Sequence, residues 1–348
     1  MTKTLAQLPV SILDLAVILD GHTPADTFRN TLDLAQHAER WGYRRFWLAE
    51  HHNMASIASS ATAVLIGYVA GGTSRIRVGS GGIMLPNHAP LVVAEQFGTL
   101  ATLYPGRIDL GLGRAPGTDQ LTAMALRRDL QGSVEDFPRH VQELLQYLSA
   151  DNRTSRVRAI PGEGLDVPVW LLGSSTYSAQ LAGLLGLPFA FASHFAPAQL
   201  QAALHLYREN FRPSAYLTEP YAAACVNVIA ADTDAEAEHL ATSFYQLALN
   251  IIRGTSRPLQ PPVASMAGIW SDMEREAVGQ MMAYSFIGGP AQVERQLQTF
   301  LAQTGIDELL AVSHIYDHSA RLRSFALLSG LCQPAAVAEP PLGAARQV

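Results

Sequence analysis

The chain has 348 residues, of which 48% are hydrophobic and 16% charged, enough apolar material for a large core and too little charge for a disordered chain. A formal charge of −6, with the basic residues scattered, excludes a nucleic-acid-binding surface. Two cysteines, Cys225 and Cys332, can make neither a disulfide framework nor a metal-ligand spacing, and their apolar contexts predict buried thiols.

The N-terminal string MTKTLAQLPVSILDLAVI holds one lysine, a short apolar run and no small-residue cleavage site. Nothing after it is long and apolar enough to span a bilayer, so a cytoplasmic protein without membrane contact is expected. From there, short apolar runs alternate with helical periodicity. Leu13–Ile18 reads as a strand, followed by a helix over Ala25–Trp41 with Phe28, Leu32, Ala35 and Ala38 on one face and Gly42 after it. Strands are predicted at Arg45–Glu50, Ile76–Leu85 and Arg107–Leu112, with helices at Ile57–Ala70, Leu91–Leu103 and Val134–Leu148. The second half continues with strands at Val167–Leu172, Phe189–Ser193, Tyr221–Ala230 and Glu308–His314. Its helices are Ser175–Leu185, Ala198–Phe211, Ala235–Ile252, Val293–Gln303 and Ala320–Leu331.

Eight strands that read as continuous apolar runs are buried on both faces, and parallel strands need helical crossovers. The expected fold is therefore a single (β/α)8 barrel of the α/β class, a TIM barrel, spanning residues 1–332. An open doubly wound sheet would carry a glycine fingerprint after its first strand, where Asp20-Gly21-His22 stands instead. Residues 333–348, rich in Pro and Ala, read as a flexible tail. A segment over about 253–288, with Gly254, Pro258, Pro261, Pro262 and Gly268 and partial helix near Asp272–Ala283, reads as a lid over the barrel mouth.

Active sites of such barrels lie at the C-terminal strand ends. The second strand runs into Glu50-His51-His52-Asn53. Alternation lets at most one of these histidines face the mouth, where an imidazole can move protons near neutral pH. Equally, Glu50 and a histidine could satisfy each other in the wall; a metal site lacks a partner set elsewhere in the sequence, so no metal is expected. Gly79-Ser80-Gly81-Gly82 ends the third strand and suits either close approach of a flat ligand or a tight corner. Arg114, after the fourth strand, could grip a phosphate or serve a structural ion pair. Ser174, Ser175 and Ser178 gather where the fifth strand meets a helix N-terminus, a place for an anion or for an ordinary cap. Arg114 and this helix start come from neighbouring strands and could build one phosphate site.

With these residues in view, the sequence resembles the luciferase-like monooxygenase superfamily. The strings RFWLAEHHN (Arg45–Asn53), IRVGSGGIMLPNHAPLVVAEQFGTL (Ile76–Leu100) and PGRIDLGLGRAPGTD (Pro105–Asp119) carry the likeness, which is weaker in the lid. The resemblance implies reduced FMN as co-substrate, delivered by a separate flavin reductase, with dioxygen added at the flavin 4a carbon and one small organic substrate oxidised. It places the active-site histidine on His51, the bulged or cis peptide under the flavin on Gly81 and Gly82, the phosphate-binding arginine on Arg114, and the phosphate-loop hydroxyls on Ser174, Ser175 and Ser178. It also implies a homodimer packed through early barrel helices. Gly113 stands where bacterial luciferase has a reactive cysteine, so light emission is not expected. A deazaflavin-dependent hydride transferase and a non-enzymatic flavin-binding protein share this fold and are the alternatives. Ala16, Ile18, His194 and His314 are expected to line the substrate pocket.

Overall fold

The computed structural model describes residues 3–115, 117–126 and 136–332; the predicted tail lies outside them, as do the first residues of the helix predicted at Val134–Leu148. Nine parallel strands are present among the described residues: β1 Val10–Asp14, β2 Arg45–Leu48, β3 Arg77–Met84, β4 Ile108–Gly113, β5 Val169–Gly173, β6 Phe189–Phe191, β7 Ala222–Ala230, β8 Ser285–Gly288 and β9 Glu308–Val312. The helices are α1 Pro24–Arg40, α2 Thr62–Gly71, α3 Pro90–Leu103, α4 Gln120–Leu126, α5 Phe137–Leu148, α6 Thr176–Leu185, α7 Leu200–Asn210, α8 Asp234–Ile252, α9 Asp272–Met281, α10 Pro290–Thr304 and α11 His318–Leu331. No helix among the described residues is long and apolar enough to cross a membrane.

Strands β1 to β7 pair in sequence order, β7 pairs with β9 and β9 with β1, which closes the expected eight-strand barrel. β8 is a ninth strand that the sequence reading placed inside the lid. The long β7 forks at Asn227: residues 223–227 pair with β9 and residues 227–230 with β8. A four-residue run such as Ser285–Gly288 is too short to show periodicity, so β8 owes its extended shape to this pairing.

The first strand lies earlier than predicted, at Val10–Asp14 rather than Leu13–Ile18. The polar residues that hid it are satisfied in the fold. Asp14 is fully buried and accepts hydrogen bonds from Thr31 (2.7 Å), Arg321 (2.9 Å) and the Ala16 amide (3.0 Å). The apolar run beyond it is a loop paired with the segment that follows β2: Ile18 N–H donates to Ser56 O, and Ala58 N–H to Ala16 O. α2 likewise starts at Thr62, not Ile57, because the Ser59 and Thr62 hydroxyls both donate to Ala49 O and hold residues 57–61 against the end of β2.

Inside the barrel, Leu13, Trp47, Trp170, Cys225, Leu310 and Val312 pack together, with the two indoles edge to face at 5.1 Å. Burying each such large apolar side chain contributes roughly 1.5–3 kcal/mol. As expected, both cysteines are buried thiols. The N-terminal end is closed by charge. Arg45 donates to Asp109 (2.7 Å) and to Glu308 (3.0 Å), Arg77 donates to Asp109 (2.7 Å), and Ser11 and Tyr221 donate to Glu308. Two arginines meet two carboxylates, so their charges balance, and the cluster at this end of the barrel serves stability rather than chemistry. Burial alone would raise the Asp109 carboxyl, but Arg45 and Arg77 outweigh it and hold it at about 2.

Candidate active site

The C-terminal strand ends present a different chemistry: five imidazoles, and a cation beside a helix start. The β2 end carries Glu50, His51 and His52. Glu50 is 1% exposed. Its Oε1 accepts from His52 Nε2 (2.8 Å) and from His88 Nε2 (2.9 Å), and its Oε2 from the Met84 amide (3.0 Å). Burial pushes the Glu50 carboxyl up, but these hydrogen bonds, His88's foremost, outweigh it and keep it below its usual value. His88 was not singled out in the sequence. It lies in the turn between β3 and α3, 38 positions from Glu50, and only the pairing of β2 with β3 brings it close.

His51 turns the other way. Its Nδ1 lies 3.3 Å from Gly117 O, and its amide donates to Ser59 O. A carbonyl can only accept, so Nδ1 carries the proton and Nε2 the lone pair. Burial, the largest influence on the ring, lowers its pKa, which keeps this basic tautomer at neutral pH. Two more histidines stand at the ends of β6 and β9. His194 is pushed down to about 3 by burial and then by His314 and His51 nearby, and His314 to about 3 by burial and then Arg321. His314 stacks on Phe244, ring centroids 4.9 Å apart. Buried atoms without a partner gather here: His194 Nδ1, His314 Nδ1, Ser313 Oγ and Asn227 Oδ1. Each such orphan costs roughly 1–3 kcal/mol unless a bound molecule or water satisfies it, which is a property of binding sites.

Just past the end of β4, the Arg114 guanidinium lies over the Tyr177 ring at 4.0 Å. This contact draws the end of β4 to the first turn of α6. Ser175 is the N-cap of α6 but its side chain makes no cap hydrogen bond, and Ser174 is exposed. The ordinary-cap reading therefore fails for both hydroxyls, which remain available to a ligand. Ser178 is placed differently. It is 3% exposed and sits behind Gly173, where an added Cβ would meet its hydroxyl at 2.9 Å. An arginine, two open hydroxyls and a helix start are the donor set an oxyanion such as a phosphate requires, and this end of the site fits that group.

The Gly81–Gly82 peptide is cis, and the β3–β4 register shifts between Ser80 and Ile83. A Cβ on Gly81 would lie 2.6 Å from Leu13 Cδ1, and one on Gly82 would lie 2.7 Å from Gly111 O. The tight-corner reading thus accounts for both glycines through the protein's own packing, and a flat ligand's use of that surface rests on the resemblance alone. Leu259, in the segment predicted as a lid, is bonded to the β1–α1 loop: its N–H donates to Ile18 O, and Asp20 N–H donates to Leu259 O. Of the expected pocket residues, Ala16 and His314 are buried there, while His194 and Ile18 remain partly exposed.

A parallel eight-strand barrel with this mouth is matched by known proteins. A family model described as luciferase-like monooxygenase covers residues 9–308. The protein YvbT of Bacillus subtilis (strain 168) is 58% identical over 321 residues, 92% of this chain and 95% of its own. A luciferase-like monooxygenase of Escherichia coli (strain K12) is 56% identical over 325 residues, 93% of this chain and 96% of its own. The crystal structure of apo-MsnO8 superposes with a TM-score of 0.85 at 35% identity, covering 94% of this chain and 100% of that one. Two further structures share the fold alone. One is the oxygenating constituent of 3,6-diketocamphane monooxygenase of Pseudomonas putida in complex with FMN, at TM-score 0.71, 19% identity and 93% of this chain against 97% of that one. The other is an F420-dependent secondary alcohol dehydrogenase, at TM-score 0.69, 13% identity and 94% against 99%. Barrel, strand-end histidines and sequence agreement over nearly the whole length lead to one assignment: the chain belongs to the luciferase-like monooxygenase family.

Proposed function

We propose that this protein is an FMN-dependent monooxygenase that takes reduced FMN and dioxygen and oxidises a small organic substrate. The observation that carries the proposal is the contact of Arg114 with Tyr177, which sets a guanidinium beside the start of α6, where the Ser175 side chain makes no cap and the Thr176 amide donates to Gln199 Oε1 at 3.3 Å. In this reading Arg114, Ser174, Ser175 and the amides of the first turn hold the phosphate. Ser178 would support them from behind Gly173, and the resemblance would place the ring system at Gly81 and Gly82. Bound reduced flavin supplies the electrons that activate dioxygen for transfer of one oxygen atom to the substrate.

The chain's own residues orient, exclude water and move a proton. His51 accepts a proton at Nε2 while Gly117 O holds Nδ1–H, so the ring works as a base in one fixed tautomer. The strap through Leu259 keeps water from the mouth. With both held neutral, His194 and His314 present polar edges without positive charge, which suits an uncharged substrate group. A separate flavin reductase would supply the reduced cofactor. Val64 and Tyr68, 71% and 43% exposed and one turn apart on the outer face of α2, suit the homodimer contact. The setting proposed is the cytoplasm.

Titration with FMN, reduced FMN and a reduced deazaflavin, followed by stopped-flow mixing with oxygen, tests this reading. Tight binding of reduced FMN and an oxygen-dependent absorbance transient are expected. Turnover without oxygen, supported by the deazaflavin, would replace it with hydride transfer; flavin binding without any substrate-dependent oxygen uptake would leave only a carrier protein.

A further inference from the structure

Glu50, His52 and His88 form the one cluster of carboxylate and imidazole ligand atoms among the described residues that could hold a metal ion, all within 4.8 Å of one another. Their spacing speaks for another role. Both Nε2 atoms sit at hydrogen-bond length, 2.8 and 2.9 Å, from the same carboxylate oxygen. Two ligands of a tetrahedral ion at about 2.1 Å each stand roughly 3.4 Å apart. Every atom of the carboxylate is accounted for by N–H donors, two imidazoles on one oxygen and the Met84 amide on the other.

We propose that Glu50 and His88 are positioning residues for His51. The proposal deepens the reading of His51 as the proton-accepting base and rests on it. His51 is the residue between Glu50 and His52, so the buried carboxylate fixes the chain on both sides of it. Glu50 reaches across to β3 through the Met84 amide and to the following turn through His88, which anchors the β2 end on its neighbour. The loop after β4 closes the frame from the other side. Gly117 O receives the His51 ring and, at 3.5 Å, the His52 amide; Thr118 Oγ1 donates to His52 O at 3.0 Å, and Asn53 Nδ2 to Asp119 at 3.1 Å. That loop begins at Arg114. The clamp thus sets the distance between the base and the cation that the proposed phosphate site uses.

The test compares His88→Leu, which removes the donor, with His88→Gln, which restores an N–H donor that cannot titrate. The first readout needs neither cofactor nor substrate: nitrogen NMR of 15N-histidine-labelled free protein, with His51 assigned through His51→Gln. Wild type should show His51 in a single tautomer with the proton on Nδ1. His88→Leu should show it averaged between tautomers, and His88→Gln should restore the wild-type pattern. In substrate-dependent oxygen uptake, His88→Leu should lose about 100-fold in kcat, as expected for a misplaced catalytic group. Its affinity for FMN should change less than about threefold. An unchanged His51 spectrum in His88→Leu would overturn the proposal even if the chain never turned over, whereas absence of turnover with the predicted spectra would count against the oxygenase reading alone. Stoichiometric binding of Zn2+ to wild type, lost in His88→Leu, would also overturn it by making the cluster a metal centre.

Discussion

Gly117 is where the geometry makes its sharpest demand on a single residue. Its φ is +64°, and a Cβ there would lie 3.0 Å from Met84 Cγ and 3.1 Å from Glu50 O. Gly117→Ala therefore carries two costs. The left-handed conformation costs a residue with a Cβ roughly 1–2 kcal/mol. Relief of the contact with Glu50 O falls on backbone, because Met84 can bend away and a strand end cannot. The Gly117 carbonyl must then shift by a few tenths of an ångström. At 3.3 Å the bond from His51 Nδ1 has little room to lengthen before it ceases to be one. Gly21→Ala isolates the first cost, since Gly21 also has a positive φ, +79°, but open space around its missing Cβ. Thermal and urea unfolding should show a loss of about 1–2 kcal/mol in Gly21→Ala and a larger one in Gly117→Ala. Only Gly117→Ala should also lose substrate-dependent oxygen uptake, by about 100-fold, with FMN affinity retained. Wild-type turnover in Gly117→Ala would refute the claim that this carbonyl sets the His51 tautomer.

Further outcomes follow from the same structure. His51→Gln should keep FMN affinity and lose roughly 100-fold to 10,000-fold in turnover, measured as product formed per reduced FMN consumed. Arg45→Met leaves Asp109 and Glu308 short of their shared cation at the barrel floor and should cost about 3–5 kcal/mol in urea unfolding at neutral pH, without changing the flavin site. The floor also sets an acid limit: Asp109 is held at about 2 against an ordinary 3.8, so its stabilisation is complete above pH 4 and lost as pH falls through 2. That loss amounts to about 2 kcal/mol in wild type and should be smaller in Arg45→Met, where Arg77 alone still holds the carboxyl down.

The barrel was legible because its eight strands are apolar on both faces and its helices carry plain periodicity. What the sequence concealed was polar or short. β1 holds Ser11 and Asp14, whose burial makes sense only once Glu308 and Arg321, some 300 positions away, are in place. β8 is four residues long and exists through its pairing with β7. The floor was missed although a signal was available: Arg45, Arg77, Asp109 and Glu308 each stand first or second in an apolar strand, the end away from the mouth. At the site, local strings singled out His51, Arg114 and the α6 start as candidates. His88 and Gly117 could not be found that way, because their roles are defined by contacts between different strand ends. Ser178 was grouped with its neighbours by spacing, and the helix turned it into the protein behind Gly173.

The account stands or falls on the phosphate grip. Its most direct test is the affinity of wild type and Arg114→Ala for FMN and for riboflavin, which lacks the phosphate. Wild type should prefer FMN, and the variant should lose about 1.5–3 kcal/mol toward FMN while binding riboflavin as before. Equal affinity for FMN in the two proteins would show that the guanidinium beside α6 holds no phosphate, and the proposed site would have to be abandoned.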